Sequence, residues 1–491
     1  MIGERNMKKL IAIGILAALM LGVCACGGNT EETQPQQSSY VEGQLNIGYC
    51  MVDITPRESV PLQGYGSTLH RFSNDVEYPL KGTVMAITGE NGETVILIET
   101  DMCTVTDQYL VPLRMRISQQ TGIPESQIYV GASHTHAAPD SAQTGVEALV
   151  TYLGEMVDNL SGAALEAMNN RKPAQLYYGS AKTDRLNFVR NYTNVLEDGS
   201  TVYWGDNHGY EYSADATTQH LSEADPTLHI VKITRQDEKD ILLTNYRAHP
   251  HLDNSSKTFA VSADYVGAMR EAVALTMDAE FMFLQGASGN INTYSKISNE
   301  ARTDECAEYA KFMMEHIQQA LDSATPLDPG SVKIKQVIQD GKINHEMDNM
   351  VARAKEVSAA WNTNRNLDEA LEIAYKYGIY SPFHANAIAS RAKLGPTEEI
   401  ELNAITIGED LAIVTAPFEL YDTLGIMLEE GSPYAHTLVM GYTGNHLGYM
   451  PDKSTFETGS YEVDICKFVA GTGEEIVETL LNSLKDLKEA N

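Results

Sequence analysis

The sequence predicts an α/β fold in which mixed sheets and flanking helices are arranged in layers within one large domain. Apolar runs occur in pairs around short polar turns, which is typical of β-hairpins, and segments with a helical repeat of apolar residues lie between the pairs. The chain shows no internal repeat, and we find no linker between residues 45 and 491. These observations favour a single folding unit over a string of modules.

Three hairpins are predicted in order along the chain. The runs GTVMAIT and ETVILIET flank residues 90–92, LHIVKIT and DILLTNY flank residues 235–239, and ELNAITI and LAIVTAP flank residues 408–410. Helices are predicted by apolar residues at helical spacing, over 153–170, Glu300–Ala324 (apolar Ala307, Ala310, Met314, Ile317, Leu321), Asn366–Tyr377 and a closing segment from Glu474 (Ile476, Leu480, Leu484, Leu487). The charged stretch 340–400 is interpreted as helices inserted into the same domain, and a separate module is the alternative.

The first residues are typical of a lipoprotein signal peptide, predicted over 1–25. Basic residues precede an apolar run over 10–23, which small residues and cysteine follow. The segment around Cys26 looks like a bacterial lipobox, so Cys26 is the predicted lipidation site; Met7 is an alternative start. Residues 26–45 are polar and are predicted to form a flexible tether, followed by the domain at 46–491. The protein is therefore expected outside the cytoplasm, anchored to the cell membrane by its lipid.

Composition excludes one class of partner and leaves the cysteines open. The net charge is -32, and such a field repels a phosphate backbone, so no nucleic-acid partner is expected. Beyond the first 26 residues the cysteines are Cys50, Cys103, Cys306 and Cys466, without C-x-x-C spacing. They are consistent with core thiols or with one or two disulfides, and do not suggest a cysteine zinc site.

Two histidines, His134 and His136, directly follow the apolar run QIYVGA. Residues i and i+2 of an extended chain project to the same face, and the carboxyl end of a strand lies at the open edge of a sheet where ligands bind. Neutral imidazole is a common metal ligand. The pair alone is equally consistent with two polar loop histidines.

The same arrangement, a strand followed by a residue able to bind a metal, recurs at distant points of the chain. His249 and His251 follow ILLTNYRA, Glu419 follows LAIVTAPF, and Tyr449 follows HTLVMGYTGNHLG. If these positions converge at one sheet edge, they supply His, His, Glu and Tyr around one metal, a set suitable for zinc with room for a water. Glu419 has an alternative role as a cap in the first turn of a helix over ELYDTLGIMLEE.

The chain resembles the neutral/alkaline non-lysosomal ceramidase family over roughly residues 46–470. The matching segments occur in the order of the family: Asp53-Ile54-Thr55-Pro56, Gly64-Tyr65-Gly66, His134-Thr135-His136, Arg190 in LNFVRN, Ala248-His249-Pro250, Ser262-Ala263-Asp264-Tyr265 with Gly267, QGASGNIN (285–292), PFELYDTLG (417–425) and GYTGNHLGYM, with Tyr461 twelve residues after Tyr449.

The resemblance implies Zn²⁺ held by His134, His249, Glu419 and Tyr449. It also implies a catalytic position for His136 beside the metal, with Arg190 and Tyr461 facing the substrate. His136 would carry a proton to the leaving amine, and Arg190 or Tyr461 would stabilise the oxyanion. His251 is expected to orient the cleft and Asp264 to support it. Arg190 has the alternative of an exposed loop residue.

The activity implied is zinc-dependent hydrolysis of an amide (N-acyl) bond in a small-molecule or lipid substrate, and sphingolipid metabolism is the expected context. One alternative is a zinc hydrolase acting on a carbohydrate or cell-wall ester or amide. The other is a lipoprotein that binds a ligand without turning it over.

The chain departs from the family at a functional serine, where it carries Asn292. Asparagine is no nucleophile but is able to donate a hydrogen bond to an oxyanion, with Ser288 or Thr293 nearby. The sequence also ends near the end of the family's catalytic domain, so the carboxyl-terminal β-sandwich domain is expected to be absent. Both departures weaken the assignment of ceramide as substrate more than the assignment of hydrolysis.

Overall fold

The computed structural model describes residues 40–65, 71–196, 199–205, 218–252, 258–297, 301–364 and 367–490. The predicted signal peptide, the lipidation site Cys26 and residues 26–39 of the predicted tether lie outside these ranges. Within the described part of the tether, Leu45 is buried and Val41 is hydrogen-bonded to Asn46. In the described part of the chain, no helix is both long enough and apolar enough to cross a bilayer.

The described residues contain 22 strands. In chain order they are β1 Asn46–Asp53, β2 Asp75–Tyr78, β3 Lys81–Thr88, β4 Thr94–Thr100, β5 Ile128–Ala132, β6 Lys172–Lys182, β7 Phe188–Val189, β8 Asn191–Val195, β9 Thr201–Gly205, β10 Thr218–His220, β11 Thr227–Arg235, β12 Ile241–Tyr246, β13 Ala260–Ser262, β14 Glu280–Gln285, β15 Ile291–Asn292, β16 Thr325–Pro326, β17 Val332–Lys342, β18 Thr397–Ile407, β19 Leu411–Thr415, β20 Glu419–Leu420, β21 His436–Met440 and β22 Tyr449–Met450.

Eleven α-helices accompany these strands in the described ranges. They are α1 Asp107–Thr121, α2 Glu147–Asn169, α3 Asp264–Thr276, α4 Cys306–Asp322, α5 Val351–Asn364, α6 Leu367–Tyr375, α7 Pro382–Arg391, α8 Asp422–Gly431, α9 Lys453–Thr458, α10 Tyr461–Ile465 and α11 Thr472–Glu489.

Two sheets carry the architecture. A nine-stranded sheet runs β14-β12-β11-β6-β1-β3-β4-β5 with β16 beside β6, and a four-stranded sheet runs β17-β18-β19-β21. Their facing sides share one apolar core, while α1 to α4 cover the outer side of the large sheet and α8 and α11 the outer side of the small one. The predicted layered α/β class is confirmed, since each sheet buries one side on the other and one side on helices.

The three predicted hairpins are confirmed as antiparallel pairs β3/β4, β11/β12 and β18/β19. Each hairpin is followed by a helix and then by a strand parallel to its second strand, giving β4/β5, β12/β14 and β19/β21. The three added strands meet in the centre of the molecule. The Gly441 amide after β21 donates to the carbonyl of Gln285 at the end of β14 (2.9 Å), and that of Gly444 donates to Val130 of β5 (2.9 Å).

The predicted helices are present, with one difference in the buried face. In α4 the buried side includes Cys306, Tyr309, Met313 and Ile317, whereas Ala307 of the predicted stripe is exposed. The other predicted residues do face the core, since Ala310 and Ile317 are buried and Met314 and Leu321 are partly buried against it. Tyr309 and Met313 extend the buried face to one side of the predicted stripe. Within residues 340–400, α5 to α7 form a small apolar cluster of their own between β17 and β18.

The four cysteines after residue 26 are buried, free thiols. Of the two possibilities left by the sequence, the structure has core thiols.

A cluster of four charged side chains lies next to the end of β12. The Arg247 guanidinium, after β12, bonds Asp422 (3.0 Å), contacts Glu429 and lies 3.2 Å from Asp225. One cation therefore faces three carboxylates. Burial raises the pKa of Glu429 to about 7, since Arg247 only partly offsets burial and the charges of Asp225 and Asp422 raise it further.

We predict that Glu429→Gln removes a pH dependence of stability. A carboxyl whose pKa is about 7 in the folded state, against 4.5 for the ordinary group, holds its proton more tightly when folded. The free energy of unfolding of the wild type should then fall by up to about 3 kcal/mol as the pH rises from about 4.5 to about 7. Urea unfolding at pH 5 and pH 8 checks this. The exposed neighbour Glu430→Gln should keep the wild-type slope, and the same slope in both variants would contradict the assignment.

Candidate metal centre

His134 is held in a conformation that aims one ring nitrogen at the strand junction. It lies two residues beyond β5 with φ of 69°, a strained value for a residue with a side chain, and its amide donates to Met102 (2.9 Å). Its Nδ1 lies 2.7 Å from the carbonyl oxygen of Cys103. A carbonyl accepts only, so Nδ1 carries the proton and Nε2 presents a lone pair, as in histidines that bind metals.

His249 is fixed in the same way from another part of the fold. It follows β12, is fully buried, and places Nδ1 3.1 Å from the carbonyl oxygen of Ile291. Its Nε2 is therefore also an acceptor. The Asp264 Oδ1 accepts a hydrogen bond from the amide of Leu252 in this loop (3.1 Å), and His251 bonds Asn292 (3.1 Å).

Glu419 brings a carboxylate to the two imidazoles. It lies in β20, and α8 begins three residues later at Asp422, so the alternative of a first-turn cap is not what the structure has. Its Oε2 lies 3.1 Å from His134 Nε2 and 3.3 Å from His249 Nε2. Neighbouring ligands of a tetrahedral zinc ion are about 3.4 Å apart, so the spacing fits such an ion.

The buried atoms that face each other support this fit. Among the described residues, His249 Nε2 and Glu419 Oε2 are buried without a hydrogen-bond partner. Isolated buried polar atoms are costly, and a cation between them would satisfy both. The three ligand atoms lie within 4.8 Å of one another.

The pKa values of His134, His249 and Glu419 all differ strongly from those of the free side chains. Burial holds the pKa of His249 well below its usual range, which keeps it in the neutral form that binds metals. Burial acts the same way on His134, but the Glu419 carboxylate and Cys103 together outweigh it and raise the pKa of His134 to about 10. Burial raises the pKa of Glu419, but His134, His249 and His446 together outweigh it and hold the pKa of that carboxyl well below its usual range. A proton and a metal ion would therefore compete for one position.

Tyr449, the fourth predicted ligand, lies beside Glu419. The two residues are partners in the parallel pair β20/β22, so their side chains project on the same side. The Tyr449 hydroxyl accepts a hydrogen bond from Arg190 Nη2 at 3.1 Å.

His136 lies against His134, although not through the extended geometry that the i, i+2 spacing predicted, because His134 has a left-handed φ of 69° and both residues lie beyond the end of β5. The two Nε2 atoms are 3.2 Å apart, and the His136 Nδ1 is buried without a hydrogen bond among the described residues. The Tyr65 ring meets the His136 ring edge-on at 5.1 Å, and Arg71 donates to the His136 carbonyl oxygen at 2.8 Å. His136 is thus held by its backbone and by packing. Burial and the neighbouring His134, His251 and His249 hold the pKa of His136 well below its usual range, so the ring is neutral.

Arg190 and Tyr461 both lie near Tyr449. Arg190 is buried and paired with Glu462 at 2.7 Å, so it is not the exposed loop residue that the sequence left as an alternative. The Tyr461 ring is 5.8 Å from that of Tyr449 and 5.7 Å from that of Phe383 in α7. The helices inserted between β17 and β18 therefore support one wall of the site.

Asn292, at the position of the expected serine, is fully buried and accepts a hydrogen bond from His251 Nε2 through Oδ1. Ser288 is engaged elsewhere, bonded to the hydroxyl of Tyr442 (2.7 Å) and to Gln285 (2.6 Å). Thr293 is also buried. Ser288 is therefore part of the support beneath the site.

Sequence reasoning missed three residues here. His446 places Nε2 3.5 Å from Glu419 Oε1, Glu462 pairs with Arg190, and Cys103 supplies the carbonyl that orients His134. His446 lies within the GYTGNHLGYM segment, and Glu462 directly follows Tyr461, so proximity to residues already selected was the only available signal. A backbone carbonyl leaves no signal in the sequence.

Comparison with known proteins establishes the fold. No protein-family model and no curated protein matches the chain. The structure is similar to the crystal structure of neutral ceramidase from Pseudomonas aeruginosa, with a TM-score of 0.67 at 15% identity over 91% of this chain and 75% of that one. It is also similar to a ceramidase complexed with C2, with a TM-score of 0.65 at 13% identity and the same coverage. The resemblance seen in the ordered motifs thus extends to the three-dimensional fold.

We predict that Gly64→Ala disrupts the position of His136. Gly64 has φ of 119°, and a Cβ atom there would lie 2.5 Å from the His136 Cβ and 2.7 Å from its Cα. Gly92→Ala is the control, because Gly92 has φ of 79° and nothing within 4 Å of the added atom. The control should lose about 1 kcal/mol of stability from strain alone, and Gly64→Ala at least twice that. Equal losses in thermal unfolding would show that the contact with His136 is not tight.

Proposed function

We propose that the protein is a zinc-dependent hydrolase that cleaves an amide (N-acyl) bond, resembling neutral ceramidase. The observation that carries the proposal is the convergence of His134 Nε2, His249 Nε2 and a Glu419 oxygen, with both Nδ1 atoms bonded to backbone carbonyls. Two imidazoles and a carboxylate are a common ligand set of catalytic zinc. The similarity in fold to ceramidases supports the same chemistry.

His134, His249, Glu419 and Tyr449 would hold the ion. Bound zinc lowers the pKa of water toward about 7 and so supplies hydroxide at neutral pH. The residues around the centre would divide the remaining tasks. His136, with a free ring nitrogen beside His134, would pass a proton to the leaving amine.

The oxygen of the scissile carbonyl becomes negatively charged as the bond is attacked. Arg190 and Tyr461 lie on the Tyr449 side of the centre and are the proposed donors to that oxygen. The amide nitrogen of Asn292 is a further donor, since its Oδ1 already accepts from His251. No serine nucleophile is required.

The proposed substrate is a small molecule or lipid with an N-acyl group, met outside the cytoplasm if Cys26 is lipidated as the sequence predicts. A second candidate function is hydrolysis of a carbohydrate or cell-wall ester or amide by zinc. It is favoured by Asn292, which occupies the position of the expected serine. A panel of N-acyl amides, ceramides and short acyl esters separates the two. Turnover of esters without turnover of any N-acyl lipid would favour the second.

Zinc is expected to stabilise the wild type against thermal unfolding, and His134→Ala and His249→Ala should abolish the effect. At a free zinc concentration one hundred times the dissociation constant, the stabilisation is about 2.7 kcal/mol. The variant of a half-buried histidine in the segment between β17 and α5, His345→Ala, should respond like the wild type. Equal stabilisation of all four proteins would place the zinc elsewhere.

His136→Ala should separate binding from turnover. Because His136 is proposed to move a proton and not to hold the ion, the variant should still be stabilised by zinc, while kcat for an N-acyl substrate falls about 10²–10⁴-fold. Metal analysis together with steady-state kinetics measures both. A variant with wild-type kcat, or one that no longer binds zinc, would assign His136 a different role.

A further inference from the structure

Glu462 forms a buried ion pair next to the candidate metal centre. Its Oε1 accepts from Arg190 Nε at 2.7 Å, and the two side chains are 1% and 6% exposed. Its Oε2 accepts from the Tyr421 hydroxyl at 2.9 Å and from Asn191 at 3.4 Å. With both oxygens bonded, the carboxylate has a fixed orientation, and Arg190 takes its orientation from it.

The far end of Arg190 reaches the proposed ligand set. Its Nη2 donates to the Tyr449 hydroxyl oxygen at 3.1 Å, and its guanidinium carbon lies 5.5 Å from the centre of the Tyr449 ring. Tyr449 is the register partner of Glu419. A continuous line of contacts therefore runs from Glu462 through Arg190 to the phenol oxygen beside Glu419.

The negative charge of the Glu462 carboxylate has a second effect, on the positive charge of Arg190. A guanidinium is always protonated, and a buried one repels a divalent cation nearby. Arg190 is close enough to His249 for its charge to act on that imidazole. The Glu462 carboxylate cancels this charge at a distance of one hydrogen bond, so a cation is able to bind next to an arginine.

We propose that Glu462 is a positioning residue for the metal centre, which acts by orienting Arg190 toward Tyr449 and by neutralising its charge. This inference rests on the proposed function, in which Tyr449 is a metal ligand. Arg190 then has two roles, since it also faces the substrate carbonyl. The proposal differs from a purely structural ion pair because it predicts an effect on the bound metal itself.

Glu462→Gln is the test, because glutamine keeps the size and one acceptor oxygen but removes the charge. Zn²⁺ affinity should fall about 10–100-fold, as is usual when a partner of a ligand is lost. The visible spectrum of the Co²⁺-substituted protein should change, since it reports the ligand geometry. The control is Glu401→Gln, which breaks a less buried arginine pair, with Arg114 (2.8 and 3.0 Å), and should leave both unchanged.

The variant Tyr449→Phe tests whether Glu462 influences Zn²⁺ binding through the contact between Arg190 and Tyr449. If Glu462 acts in part by orienting Arg190 toward Tyr449, Glu462→Gln should weaken Zn²⁺ binding less in the Tyr449→Phe background, where only the loss of charge neutralisation remains, than in the wild type. Should Glu462→Gln not fold, Tyr421→Phe removes one donor to Glu462 and should shift affinity and spectrum in the same direction by a smaller factor.

The outcomes are distinct. Wild-type protein that binds no Zn²⁺ would overturn the proposed function and this inference with it. Wild-type protein that binds Zn²⁺ while Glu462→Gln keeps its affinity and Co²⁺ spectrum would overturn the inference alone. An equal loss of affinity with and without the Tyr449 hydroxyl would overturn the orienting role, because only the neutralisation of the Arg190 charge acts without that hydroxyl.

Discussion

The contact between Glu419 and two imidazoles is the interaction on which the rest of the site depends. A carboxylate that is 5% exposed is tolerated only beside positive charge, and His134, whose pKa is raised to about 10, places a nitrogen 3.1 Å from it. The neutral His249 places a second nitrogen at 3.3 Å. Backbone carbonyls fix both rings, so the site is rigid before any ligand arrives. The φ of 69° at His134 is the local cost of that arrangement.

The junction of β5, β14 and β21 makes this contact possible. Each of these strands is the last of a hairpin, helix and strand unit, and the three units bring their strand ends together in the centre of the molecule. His134, His249 and Glu419 each come from a different unit. The Arg247 cluster joins two of those units behind the ligands, through Asp422 at the start of α8.

The sequence was sufficient to predict those features of the structure that depend on neighbouring residues. The hairpins and the positions of His134 and Glu419 after strands follow from apolar patterns a few residues long, and those patterns are visible in one chain. The pairing of Arg190 with Glu462 is not visible, because the two residues are 272 apart and neither stands in a periodic pattern. The face of α4 was predicted only in part for a similar reason: helical spacing leaves two adjacent stripes nearly equivalent, and only tertiary packing shows that Tyr309 and Met313 are buried beside Ala310 and Ile317.

The distribution of the ligands over three units has a consequence for synthesis. His134 leaves the ribosome more than a hundred residues before His249, and Tyr449 follows later still. No fragment that ends before Glu419 contains the complete set, however well its own hairpins have formed. Contacts of such long range form slowly, since the loops between them must be closed first. If the centre binds a metal as proposed, metal capture would be one of the last events in the synthesis of the chain, and incomplete chains would lack the complete set of residues that could hold the ion.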